Sequence, residues 1–266
     1  MSQPESKDQG MKWMIVALLA CCAIPLGVFL FLGGSLGFLF GRSVQPPATN
    51  QAINPSASTP QPQLTTAAAV VSLQPAGNWR GNNHVHGLAV NPENSQIIYV
   101  ASHNGLLQRS PAGQWFWMGK QRSDYMGFTA DPTNGKRFYS SGHPPTGGNL
   151  GFQVSQNQGE DWQQLSLPGV DFHALAIAPS NPKVFYGFPA SGAAGLHVSI
   201  DGGKTWTQPR ATGLSDAPFS LVVDPGKPDH VFATTRSGLY KSSNRGDDWT
   251  LVPSTQDAPV AGLALL

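Results

Sequence analysis

Hydrophobic and polar positions divide the chain into two regimes. From Trp13 to Phe40 no side chain is charged and most are apolar, a run longer than the ~20 residues that cross a bilayer as a helix. Further on, short apolar stretches alternate with polar turns. Four stretches close on a proline: Val85–Pro92, Tyr125–Pro132, Phe172–Pro179 and Pro218–Pro225. Segments of this length bounded by turn formers predict β-strands. Interleaved with them is a series reading Ser-x-[Asp/Asn]-x-Gly-x-x-Trp: Ser155, Asn157, Gly159, Trp162; Ser199, Asp201, Gly203, Trp206; and Ser242, Asn244, Gly246, Trp249. Its copies start 44 and 43 residues apart. Two series in one register predict tandem supersecondary units that bury their faces against one another.

The residue types in the polar series suit a tight hairpin. Asp or Asn can accept from nearby backbone N–H groups, glycine takes positive φ without strain, and tryptophan packs between sheets. Ser-Ile-Asp-Gly-Gly-Lys-Thr-Trp at 199–206 resembles the Asp box, or BNR repeat, of sialidase-like, glycosyl hydrolase-like propellers, over about 80–266. The resemblance implies an all-β propeller whose boxes are structural hairpins away from the active face. It also reaches the sortilin ectodomain and the photosystem II assembly factor, where it implies a disc that binds peptides or protein partners.

The expected architecture is a β-propeller of about five blades preceded by one N-terminal transmembrane helix. Its parts are a cytoplasmic tail (1–12), the span (13–40), a Pro/Gln/Ser/Thr-rich linker (41–67) and the propeller (68–266). Pro75-Ala76-Gly77-Asn78-Trp79 resembles Pro111-Ala112-Gly113-Gln114-Trp115, and Val260–Leu266 resembles an inner strand. These segments suggest a fifth blade shared between the two ends, closing the ring and removing an open sheet edge. A truncated relative of a six- or seven-bladed protein is the other reading.

Lys7 and Lys12 precede the apolar run and Arg42 follows it, which places the N-terminus in the cytoplasm and exports the propeller, to periplasm or outside the cell. A cleaved signal peptide and lipoprotein-type processing at Cys21 compete with this signal-anchor reading. Cys21 and Cys22 are the two cysteines, so a disulfide scaffold and a thiolate zinc site are excluded. A net charge of +1 without a basic run argues against a nucleic-acid partner.

Counting back from the inner-strand prolines brings distant residues to one mouth. Eight positions before them stand His84, Asp124, Asp171 and Ala217; six before stand His86, Met126, His173 and Phe219. The turns between second and third strands add His103, His143 and Arg236, whereas His197 and His230 map elsewhere. Three readings of this His/Asp face stay open. The histidines can be channel-packing residues. They can be a transition-metal site for zinc or copper, with His84, His86 and His173 as ligands beside Asp124 and Asp171, Met126 suiting copper. The face can also hydrolyse a glycoside, with Asp124 and Asp171, or Tyr125, as catalytic candidates. A sialidase proper is not expected: its Phe-Arg-Ile-Pro segment, arginine triad and Tyr/Glu pair are absent, and Glu93 and Glu160 map away from the mouth. Gly147-Gly148 lacks the strand–helix context of a phosphate loop. The leading expectation is a membrane-tethered binding or assembly module for a protein, peptide or glycan. A glycosidase-like or metal-dependent hydrolase on the same face is the alternative.

Overall fold

Each proline that closes an apolar stretch occupies the first central position of a two-residue hairpin turn, between the pairs Asn91↔Asn94, Asp131↔Asn134, Ala178↔Asn181 and Asp224↔Lys227. Proline presets φ there and its missing N–H leaves no ladder bond unmade. Where the residue before it is Asn or Asp, its carbonyl or carboxylate oxygen accepts from the turn. Asn91 Oδ1 takes Glu93 N at 2.8 Å, Asp131 Oδ1 takes Thr133 N at 2.8 Å, and Asp224 Oδ1 takes Gly226 N at 2.9 Å.

The computed structural model describes residues 71–265. These hairpins build four antiparallel sheets among the described residues. The first contains β1 (Leu73–Pro75), β2 (Val85–Asn91), β3 (Asn94–Ser102), β4 (Gly105–Arg109) and β5 (Trp115–Met118), in the order β1-β5-β4-β3-β2. The second runs β6 (Asp124–Asp131), β7 (Asn134–His143), β8 (Phe152–Ser155), β9 (Gln163–Ser166). The third runs β10 (Asp171–Ala178), β11 (Asn181–Ser191), β12 (His197–Ser199), with Val198 bridged to Thr207 beyond it. The fourth runs β13 (Ser220–Asp224), β14 (Lys227–Thr234), β15 (Leu239–Ser242), β16 (Thr250–Leu251), followed by a short 3-10 turn at Pro253–Thr255.

Strands β2, β6, β10 and β13 lie innermost, β6 between β2 and β10, and β10 beside β13. Three cores fill the spaces between successive sheets. Tyr99, Leu106, Phe128 and Phe138 join the first and second; Tyr139, Phe152, Phe172 and Phe185 the second and third; Tyr186, Leu196, Val231 and Trp249 the third and fourth. A buried phenylalanine such as Phe138 contributes about 1.5–3 kcal/mol. The architecture is all-β and propeller-like.

The three boxes form the same hairpin. Gly159, Gly203 and Gly246 N–H donate to Ser155, Ser199 and Ser242 Oγ at 2.8, 2.9 and 2.9 Å. Those hydroxyls donate in turn to Asn157, Asp201 and Asn244 Oδ1. The glycines sit at φ 83°, 81° and 88°, in the left-handed region.

The shared fifth blade is not formed among the described residues. Leu73–Pro75 pairs with the free edge of β5 (Leu73↔Met118), and the resembling Trp79 and Trp115 pack against each other with their rings tilted by 48°, centroids 4.7 Å apart. Residues 258–265 hold no strand; Val260 N donates to Thr235 O and 261–263 line the central cavity. An unpaired edge on β5, together with an apolar seat at Val100 and Leu107 that buries Ala76, captures the segment expected to open another sheet. The tail at 1–12, the span at 13–40 and the linker at 41–67 lie outside the described residues. Among the described residues no helix is long and apolar enough to cross a membrane.

Candidate functional site

The mouth is built by one irregularity repeated on three inner strands. Register slips between Val85 and Gly87, between Tyr125 and Phe128, and between Phe172 and Ala174. Such bulges re-aim side chains and strengthen local twist. The residues they release from regular pairing include His86 and His173, two of the expected face histidines. Asp124 pairs in register with His143 across β6 and β7, and Asp171 opens β10, so both carboxylates start an inner strand.

Two trios result. In the first, Asp124 Oδ2 accepts from His103 Nδ1 at 2.7 Å, and its Oδ1 lies 3.2 Å from His86 Nε2. That last pair is poorly aligned, and neither atom has a hydrogen-bond partner. In the second, Asp171 Oδ2 lies 2.8 Å from His173 Nε2 and 3.3 Å from His143 Nε2, while Asp171 Oδ1 is buried without a partner. Each trio offers three donor atoms within 4.8 Å of one another. His103 and His173 are exposed, but the Asp171 side chain is only 2% exposed. Burial holds the His86 pKa below the ordinary histidine value; Asp124 opposes this, and the imidazoles of His103, His173 and His84 reinforce it. His86 is therefore a neutral imidazole at pH 7, a free base or ligand.

The other face residues are placed as follows. His84 stacks near-parallel on His86, centroids 6.5 Å apart, and meets His103 edge-on at 6.1 Å, without entering either trio. Arg236 is exposed on the β14–β15 turn and belongs to neither. Thus His86 and His173 fall in different trios, and His103 and His143 join as donors. Tyr125 is buried against Trp162, centroids 5.2 Å apart, and burial pushes its phenol up to about 12, which makes it a core residue. Glu160 is bound to Ser72 and Lys120 in the first box, and Glu93 accepts from Gly135 N; both stand away from the mouth. His197 is buried edge-on to Phe172.

Two contributors carry no motif. Arg122 stacks over Trp117 and, with His103, Asp124 and His143, lines an open cleft of about 420 Å³ at the rim. Gly148, in the Gly-Gly pair without a phosphate-loop context, presents its carbonyl 3.0 Å from His143 Nδ1. On the inner side, His86 and His173 line a central cavity of about 440 Å³ together with Phe128, Phe219 and Leu263. The His/Asp groups thus stand between a rim cleft and the channel.

No family model matches the chain. A curated protein of Neosartorya fischeri described as a "Probable oligoxyloglucan-reducing end-specific xyloglucanase" is 24% identical over 200 residues, covering 65% of this chain and 24% of that protein. The chain thus spans about a quarter of the length of this relative. An auxiliary nutrient binding protein of Bacteroides thetaiotaomicron superposes with a TM-score of 0.51 at 10% identity, over 66% of this chain and 43% of that one. A GH74 xyloglucanase of Xanthomonas campestris gives a TM-score of 0.49 at 19% identity, over 65% and 31%. What the Bacteroides thetaiotaomicron structure shares with this chain is the fold.

Proposed function

We propose that the propeller is a carbohydrate-directed, glycosidase-like hydrolase working at its His/Asp mouth. The observation that carries this reading is the placement of Asp124 and Asp171 at the starts of adjacent inner strands, Asp124 lining the rim cleft and Asp171 held against His173, which lines the central cavity. Glycoside hydrolysis needs two carboxyl groups flanking the scissile bond, one to handle the leaving-group proton and one to activate water or attack carbon. Glu93 and Glu160 are engaged elsewhere, and Asp124 and Asp171 are the carboxylates held in the two His/Asp trios. Likeness to a curated xyloglucanase supports a glycan as substrate class and moves the weight from an assembly module to the hydrolase. The shared bonding of the three hairpins supports an Asp-box propeller. The apolar run at 13–40 supports a tethered, exported domain.

Incubation with xyloglucan oligosaccharides and aryl glycosides should release reducing sugar. Asp124→Asn and Asp171→Asn should each lower kcat by roughly 100- to 10,000-fold, the range of positioned acid–base groups. Wild-type protein that binds none of these sugars and turns none over defeats the proposal. A second reading, glycan binding without cleavage, is favoured by one observation: imidazoles already occupy both carboxylates at 2.7–3.3 Å. Sugar binding without turnover would select it.

A further inference from the structure

We infer that the two trios, His86/His103/Asp124 and His143/His173/Asp171, are a pair of open transition-metal sites, each taking one divalent ion of the zinc or copper class. The inference deepens the reading of this mouth as the working face, but its footing is the geometry of the donors.

The first support is spacing. A tetrahedral ion with ligands at about 2.0–2.1 Å holds them roughly 3.3 Å apart. The His86–Asp124 and His143–Asp171 approaches, 3.2 and 3.3 Å, match that spacing, whereas His103–Asp124 at 2.7 Å and His173–Asp171 at 2.8 Å are hydrogen-bond distances that would open by roughly half an ångström around an ion. All donors of a trio already lie within 4.8 Å of one another, so small side-chain movements complete the sphere.

The second support is tautomer chemistry. A carbonyl oxygen only accepts, so His143 Nδ1, 3.0 Å from Gly148 O, carries the proton. In the neutral ring Nε2 then presents its lone pair toward Asp171 Oδ2 at 3.3 Å. Two acceptors facing each other repel unless a cation lies between them. A proton on Nε2 satisfies the pair, and so does a metal ion. Donation of the far ring nitrogen to a backbone carbonyl is the outer-shell arrangement that orients metal-binding histidines.

A third support is the set of orphans. Asp171 Oδ1 is buried without a partner on a side chain only 2% exposed, and His86 Nε2 and Asp124 Oδ1 are unpartnered while facing each other. Buried polar atoms left bare are costly, and an unfilled ion is one of the few reasons for them. Imidazole suits zinc and copper, and two imidazoles with one carboxylate leave coordination positions for water or substrate. With a metal bound, its water would supply the nucleophile in place of a free Asp124 or Asp171 carboxylate.

The test uses the full-length chain stripped with chelator, reloaded separately with Zn²⁺ and Cu²⁺, dialysed, and analysed for metal content and by calorimetric titration. Two equivalents of either metal are expected. Asp124→Asn or His103→Gln should remove one, Asp171→Asn or His173→Gln the other, and a double variant both. Each loss should exceed the roughly 10- to 100-fold affinity cost of an outer-shell partner. His103 and His173 are exposed, so their variants remain informative if an aspartate variant fails to fold. Wild type that holds neither metal after dialysis, or stoichiometry unchanged in the double variant, overturns the inference; one equivalent abolished by a change in either trio overturns the two-site form. Metal loading without sugar turnover leaves the sites standing and removes the hydrolase. Turnover that survives metal stripping, with no metal taken up on reloading, does the reverse.

Discussion

Asp201 stands where the other boxes carry Asn157 and Asn244, and the partner four residues on changes with it. Asn157 and Asn244 donate from Nδ2 to Asp161 and Asp248, whereas Asp201 accepts from the Thr205 hydroxyl and from Thr205 and Lys204 N–H. Bonds from Thr205, reinforced by Ser199 and Lys204, pull the Asp201 carboxyl from 3.8 down to about 2. A carboxyl whose folded pKa is depressed contributes stability that is complete above its unfolded value and is lost as pH falls through the folded one. Wild type should therefore unfold at a higher temperature than Asp201→Asn at neutral pH, and the gap should close between about pH 4 and pH 2. A gap constant across that window would mean the charge contributes nothing. The swapped donor in this box is readable from sequence, because Thr205 replaces an aspartate. The pairing at the mouth is not: repeat register gathers His86, His103, His143, His173, Asp124 and Asp171 on one face, but which imidazole meets which carboxylate depends on bulges of the inner strands.

Those bulges, together with glycines, set how closely inner strands approach. A Cβ on Gly127 would stand 2.5 Å from Phe172 O and 3.1 Å from Leu175 Cβ, so an alanine there pushes β6 from β10 where the two trios adjoin. Gly127→Ala should cost about 1–3 kcal/mol of stability, the usual cost of overpacking, read as a lower denaturant midpoint. Gly77→Ala, with nothing within 4 Å, is the control and should lie near wild type. Equal midpoints for the two would show that β6 and β10 have room to spare. Strand ends were legible because proline at a turn and a Ser-Asp/Asn-Gly hairpin are local chemistry. The slips after Val85, Tyr125 and Phe172 were not, since Val-His-Gly, Tyr-Met-Gly and Phe-His-Ala share no side-chain type that demands one.

At the scale of the whole domain, the ring expectation and the structure diverge at both ends of the described residues, and at the first of them for a reason that can be tested. Sequence similarity between residues 75–79 and 111–115 suggested equivalent places on successive blades, yet the two pack together on one sheet. What holds β1 there reaches across to the second sheet. Ser72 N and Oγ donate to the two oxygens of Glu160 at 2.7 and 3.0 Å, and Lys120 Nζ approaches Oε1 at 3.0 Å. Ser72 O in turn accepts from Gly119 N at 2.9 Å, continuing the β1–β5 ladder. The Ser72 backbone bond, with Lys120 beside it, holds the Glu160 carboxyl below its ordinary pKa, so the clasp is fully charged at neutral pH. Long-range contacts of this kind leave no periodic trace: Ser72 and Glu160 are 88 residues apart and neither is marked by a motif partner. Glu160→Gln keeps the shape but replaces one acceptor oxygen with an amide donor facing Ser72 or Lys120. Hydrogen exchange should then accelerate at the Gly119 amide and along β1, by local opening, while the β13–β14 ladder exchanges as in wild type. Unchanged protection at Gly119 would mean that pairing with β5 and the seat of Ala76 suffice to hold β1 without the clasp.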